Sequence, residues 1–109
     1  MADELATLGR YAGPATLILS SLAGGAKHGY ALMQDVEEFA GVTLRPGTLY
    51  GALSRLEAME LIEPLEGDGR RRPYRLTTAG ATALQIQLAA QRTVADVGLK
   101  RLSTAGVTA

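Results

Sequence analysis

Four arginines, Arg70, Arg71, Arg72 and Arg75, fall within six positions directly after Gly67-Asp68-Gly69, a strong turn signal. Guanidinium groups carried on a glycine-flanked turn can follow a phosphate backbone, and that is the chemistry they offer. A charge run on a loop is otherwise ordinary solvated surface, so the stretch before it has to decide between the two. That stretch is Arg45 to Glu60. Pro46 can occupy the first turn of a helix, where its missing N–H costs nothing. From there apolar residues recur at Leu49, Ala52, Leu53, Leu56 and Met59 on one face. The opposite face carries Thr48, Tyr50, Gly51, Ser54, Arg55 and Ala58, with no carboxylate before Glu57 and Glu60. A helix that is buried on one side and slim and carboxylate-poor on the other can lie in a major groove, where acidic side chains would meet phosphates.

Several of these positions carry more than one reading. Arg55 can pair with a guanine edge, bind a phosphate, or form an intrachain ion pair with Glu57 or Glu60. Tyr50 can contact the duplex or pack beneath the arginine turn. The missing side chain of Gly51 allows close approach of DNA or of another helix. Lys27 and Arg45 flank the motif and can hold a phosphate backbone electrostatically.

An enzymatic reading has less to stand on. The chain has no cysteine and a single histidine, His28, so there is no thiolate nucleophile, no disulfide and no donor set for a protein-built zinc site. Asp35 or Ser20 beside His28 does not make a nucleophile, base and orienting group. A histidine hydrogen-bonded at a helix start is the simpler account of His28, with Tyr30, Met33, Phe39 and Met59 as core. Eleven basic residues balance eleven acidic ones, which on its own argues mildly against nucleic acid. Distribution matters more, because a basic footprint on one face is compatible with zero net charge.

The elements that must position these residues follow from periodicity and punctuation. The 109 residues suit one domain. Residues 1–12 read as an arm or short helix that orders against another subunit. Pro14 to Leu22 reads as a short helix started by the proline, apolar over more than one face and therefore covered on several sides. A second helix runs from Lys27-His28-Gly29-Tyr30 to Phe39 or Ala40 and is closed by Gly41 in a left-handed conformation. Residues 42–44 are extended, with room for one ladder's worth of strand. After the Pro46 helix, residues 61–66 and 71–76 form a hairpin around Gly67-Asp68-Gly69, with Ile62, Leu65, Tyr74 and Leu76 turned to the helices. Thr77 caps a last helix from Ala79 to about Val97 or Leu102. Its stripe of Leu84, Leu88, Ala95, Leu99 and Leu102 is more than a small domain can cover. A two-fold partner is the economical cover, and folding back as core is the alternative.

The fold class is thus mainly α with a two-stranded β-wing: a winged helix-turn-helix over 13–77, a dimerisation helix over 78–102 and a tail over 103–109. The chain resembles the PadR family of bacterial transcriptional regulators. The resemblance rests on Leu22-Ala23-Gly24-Gly25, Lys27-His28-Gly29-Tyr30-Ala31-Leu32, Pro46-Gly47-Thr48-Leu49-Tyr50 with Leu53 and Arg55-Leu56-Glu57, and Leu61-Ile62. It continues through Gly69-Arg70-Arg71-Arg72-Pro73-Tyr74-Arg75-Leu76-Thr77 and Ala79-Gly80. The short C-terminal part resembles the small-subunit branch, in which a single long helix follows the wing.

The resemblance implies a homodimeric repressor of a palindromic or near-palindromic operator, with no cofactor and no catalytic site. It makes the Pro46-to-Glu60 helix the recognition helix, with Tyr50 and its neighbours on DNA, and puts Arg70, Arg71 and Arg72 in the wing. With the residue reading above, the candidate contacts are Pro46, Thr48, Tyr50, Gly51, Ser54 and Arg55 on that helix and Lys27, Arg45, Arg70, Arg71, Arg72 and Arg75 at the wing and backbone. Some members of that branch stack flat drugs on tryptophans, and this chain has no Trp. An effector would lie near Leu17, Leu88 or Ala95. A winged-helix module that binds protein instead of DNA is the competing expectation. Without a basic and apolar leader or a charge-free spanning run, the expected location is cytoplasmic.

Overall fold

Helix α1, Ala12–Leu22, is the element the others surround: it touches the N-terminal segment, α2 (Gly29–Ala40), α3 (Pro46–Ala58), β2 (Tyr74–Leu76) and α4 (Thr78–Thr104). Its apolar width explains this. Ala15, Ile18, Leu19 and Leu22 are all buried, and they point in more directions than one neighbour could cover. The structure is a computed structural model and describes residues 4–68 and 71–106. The helix begins two residues before Pro14, which sits inside the first turn, where prolines are tolerated, and does not start it.

The N-terminal segment, Glu4–Tyr11, is two tight 3-10 turns broken at Gly9, whose φ of 57° and ψ of −123° suit glycine alone. Leu5 anchors the segment in the core of this same chain. The arm expected to order against another subunit is therefore docked on its own domain.

Helix α2 starts at His28, whose Nδ1 accepts the Ala31 N–H at 3.4 Å, and ends at Gly41 with φ 66°. Leu32 and Val36 are buried, but Tyr30 and Phe39 are 62% and 52% exposed, which corrects their assignment to the core. Only one narrow stripe of α2 meets α1 and α3, and those two side chains lie off it. Among the described residues, 42–44 pair with no strand; Leu44 alone of the three is buried, pinning the link before α3.

Helix α3 buries Leu49, Ala52, Leu53 and Leu56, in line with its sequence periodicity. It ends in a Schellman arrangement: Glu60 N–H donates to the Glu57 carbonyl at 2.9 Å and Leu61 N–H to the Leu56 carbonyl at 3.0 Å. The left-handed residue is Glu60, with φ 59°, where glycine is usual.

The wing is short. Strand β1, Ile62–Pro64, pairs antiparallel with β2 in the register Ile62↔Leu76, Glu63↔Arg75 and Pro64↔Tyr74. Both prolines stand at or beyond strand ends, because neither can donate to a ladder. Lys27 adds a third edge, exchanging backbone hydrogen bonds with Tyr74 at 3.2 and 2.9 Å and tying the α1–α2 loop to the hairpin.

Helix α4 is continuous through Gly98 to Thr104, two residues past the expected limit, and spans about 40 Å at 1.5 Å per residue. Gly80 stands at its third position because the Leu61 carbonyl lies where a Cβ would go. Ala83 and Leu84 enter the core, whereas every described residue from Leu88 onward is exposed. Leu84 is thereby corrected from a dimer contact to part of this chain's own core: it lies in the first two turns, where α4 packs on α1 and the N-terminal segment. Among the described residues no helix is long and apolar enough to cross a membrane.

Candidate nucleic-acid interface

The outward face of α3 stands next to the wing. Its first turn contains no acidic residue, and Arg45, in extended conformation, makes no side-chain capping bond there. Pro46, Gly47 and Ser54 are exposed, while Thr48, Tyr50 and Gly51 are half-buried. Tyr50 leans toward the start of α2: a Cβ on Gly29 would come within 2.5 Å of its hydroxyl oxygen. His28, Tyr30, Met33, Pro46, Tyr50 and Arg71 line a recess of about 440 Å³, so the starts of both helices and the wing open onto a common hollow.

The arginines divide into distinct settings. Arg71 and Arg72 are exposed at the wing, and Arg71 N–H donates to the Asp68 carbonyl at 2.9 Å. Gly69 and Arg70 lie outside the described residues. Arg75 is engaged across the hairpin, its Nε donating to Glu63 Oε1 at 2.9 Å with Nη2 on the same oxygen. Lys27 is turned inward. Its ammonium donates to the Ser21 and Gly25 carbonyls at 2.6 and 3.2 Å and lies 3.9 Å from Asp35, which also accepts the Ser21 hydroxyl at 2.6 Å. A cation so held stabilises the α1–α2 loop and has little freedom to meet a phosphate.

Tyr74, at the wing base, has its phenol pushed above the ordinary value, first by burial and then by the negative charge of Glu57; Arg72 acts in the opposite direction.

Arg55 forms no ion pair with Glu57 or Glu60. Its Nη1 donates to the Gly51 carbonyl at 2.9 Å, and its guanidinium carbon lies 3.9 Å over the ring centroid of Tyr11. Gly51 explains how the ring fits: a Cβ there would stand 3.0 Å from Tyr11 Cε1 and Oη. The neighbour for which Gly51 makes room is thus the N-terminal segment. Arg10 joins the group, 5.0 Å from the same centroid, with Nη2 donating to Tyr11 Oη at 3.1 Å. Sequence reasoning passes over Arg10 and Tyr11. Their signal is a small gap at Gly51 on the outward face of α3, but the partner that fills it is forty residues away.

Of the expected dimer stripe, Leu88, Leu99 and Leu102 are 42%, 61% and 42% exposed, and Ala95 is exposed with them. A further groove of about 390 Å³ runs between the start of α1 and α4, lined by Pro14, Thr16, Leu17, Val42, Leu44 and Gln91.

A helix-turn-helix with a hairpin wing and a long closing helix is a winged helix-turn-helix architecture. The chain belongs to the PadR-like family of transcriptional regulators, which matches residues 18–86, a family of regulators and not of enzymes. It is 52% identical over 69 residues to an uncharacterised 37.1 kDa protein in transposon TN4556 of Streptomyces fradiae, covering 63% of this chain and 20% of that protein. It is 46% identical over 70 residues to the transcriptional regulator Rv3488 of Mycobacterium tuberculosis, covering 62% and 64% respectively. The chain therefore spans less than two thirds of the length of either curated relative. Among solved structures, a PadR family transcription regulator from Clostridium difficile R20291 superposes with a TM-score of 0.70 at 32% identity, covering 81% of this chain and 96% of that one.

Proposed function

We propose that this chain is a sequence-specific DNA-binding regulator that acts as a cytoplasmic homodimer, repressing from a palindromic or near-palindromic operator. The observation that carries the reading is the carboxylate-free first turn of α3, open beside the exposed Arg71 and Arg72 of the wing. Pro46, Thr48, Tyr50 and Ser54 would meet base edges or the adjacent backbone, and Arg45, Arg71 and Arg72, with Arg70, would meet phosphates. Lys27 and Arg75 would contribute chiefly by holding the wing in place.

The exposed stripe Leu88, Ala95, Leu99 and Leu102 supports pairing through α4, since water-exposed leucines at helical spacing are covered at least cost by a second copy. A two-fold axis would set two recognition helices into successive major grooves about 34 Å apart. Separation then becomes the control variable. A small molecule in the groove at Leu17 and Gln91 would alter how α4 leaves the domain, and so release DNA without touching a base-contacting residue.

The test is retention of genomic fragments by the purified protein at several salt concentrations, followed by footprinting. A protected two-fold site that weakens with added salt and on neutralising Arg70, Arg71 and Arg72 is the expected result. A folded dimer that retains no fragment even at low salt sinks the reading and favours a protein-binding module.

A further inference from the structure

Arg10, Tyr11 and Arg55 form a constellation at the edge of the core, where the half-buried Tyr11 packs against it and both arginines are exposed. Two guanidinium carbons lie within 5.0 Å of one ring centroid, at 3.9 Å for Arg55 and 5.0 Å for Arg10. Both arginines are exposed, and the ion pairs among the described residues are Lys27–Asp35 and Arg75–Glu63, so neither is neutralised by a carboxylate. Two like charges gathered at one aromatic ring repel each other, and the ring's quadrupole offsets only part of that cost. An anion arriving beside them would relieve it. Each guanidinium also keeps N–H groups to offer, because the intramolecular bonds to the Gly51 carbonyl and the Tyr11 hydroxyl use one nitrogen apiece. The group sits on the flank of α3, at Gly51 and Arg55, one helical turn apart on the side away from the wing-facing Tyr50.

We propose that Tyr11 is a positioning residue that holds Arg55 flat beside the recognition helix, and that Arg10 and Arg55 together form a cationic clamp on the DNA sugar–phosphate backbone. The N-terminal segment thereby becomes part of the DNA-binding surface, opposite the wing, so that α3 is flanked by arginines on both sides. Gly9 has a part in this, since its left-handed turn directs Arg10 and Tyr11 toward α3. Stacking restricts Arg55 to one orientation before DNA arrives, so less rotamer entropy is lost on binding. The inference rests on the DNA-binding reading above.

The experiment uses the full chain and a fluorescein-labelled duplex of random sequence, about 30 base pairs long and so able to present two major grooves, titrated between about 50 and 200 mM salt. Tyr11→Phe keeps the ring under Arg55 and loses only the tether to Arg10, and should bind within about twofold of wild type. Tyr11→Leu keeps apolar bulk without a π face and should bind roughly three- to tenfold more weakly, with the slope of log affinity against log salt reduced by about 0.9 for each phosphate that is no longer neutralised. Arg10→Gln should weaken binding comparably, and Tyr11→Leu should add little in an Arg55→Gln background.

Unchanged affinity and salt slope in Tyr11→Leu and Arg10→Gln, while neutralising Arg71 and Arg72 still weakens binding, would overturn the clamp and leave the regulator reading intact. Wild-type protein that binds no duplex at the lowest salt overturns both. If Tyr11→Leu fails to fold, Arg10→Gln and Arg55→Lys decide at exposed positions: lysine keeps the charge but not the planar stack, so wild-type binding by both rejects the clamp.

Discussion

The Thr77 hydroxyl donates to the Glu60 carbonyl at 2.8 Å, joining the end of α3 to the start of α4 across the whole wing. The same oxygen accepts the Gly80 N–H at 3.0 Å, and the Thr77 N–H donates to the Leu61 carbonyl at 3.1 Å. One side chain thus caps the long helix and closes the loop that carries the wing arginines. Thr77→Ala should lower the unfolding free energy by about 1–2 kcal/mol, as removal of an N-cap does, and Thr77→Ser should restore most of it. Urea denaturation followed by circular dichroism measures both, and a Thr77→Ala variant as stable as wild type would refute the cap's role.

Glu60 occupies the left-handed position of the α3 terminus, φ 59°, where its Cβ is strained. Glu60→Gly should therefore stabilise the protein by about 0.5–1 kcal/mol despite glycine's greater freedom when unfolded. A fall in denaturation midpoint would contradict this.

Lys27 is held by two carbonyls and Asp35. Lys27→Met should cost roughly 1–2 kcal/mol of stability while leaving the salt slope of DNA binding near its wild-type value, in contrast to neutralising Arg71 and Arg72. A slope that falls as much for Lys27→Met as for the wing arginines would place its charge on the DNA after all.

Tyr74 carries a phenol raised by burial and by Glu57. The fold favours its neutral form, so this contribution is complete below the unfolded value of about 10 and is lost as pH rises through the higher folded value. Tyr74 should ionise late in an alkaline absorbance titration, and Tyr74→Phe should remove that late step. The variant should also lose less stability than wild type as pH is raised beyond about 10.

Leu99 is 61% exposed on the α4 stripe. Leu99→Glu should weaken self-association by about a hundredfold or more, because pairing would bury an unpaired carboxylate. Sedimentation equilibrium reads this directly, with helix content expected to hold. An unchanged association constant would move the dimer interface off α4.

Periodicity and punctuation along the chain are enough to locate four helices and the hairpin, while the family was legible only as a resemblance of motifs. Leu49, Ala52, Leu53 and Leu56 can be assigned inward because a 3.6-residue repeat needs no knowledge of the neighbour it meets. The roles of individual polar residues are not legible in the same way. Lys27 and Arg75 look like DNA contacts in sequence, but tertiary packing brings Lys27 close to Ser21 and Asp35 and Arg75 close to Glu63. Gly51 reads as room for a partner, and the partner is Tyr11. Tyr30 and Phe39 are assigned to the core by hydrophobicity alone, whereas α2 has just one stripe covered.

Local pattern by itself determined which segments are helix or strand and which face of each is apolar, because those depend on backbone geometry and nearest neighbours in sequence. Which charges remain free to meet a ligand was decided only by the tertiary structure. An ion pair or cation–π interaction depends on a few ångströms between residues that stand up to about forty positions apart, and no spacing along the chain encodes that distance.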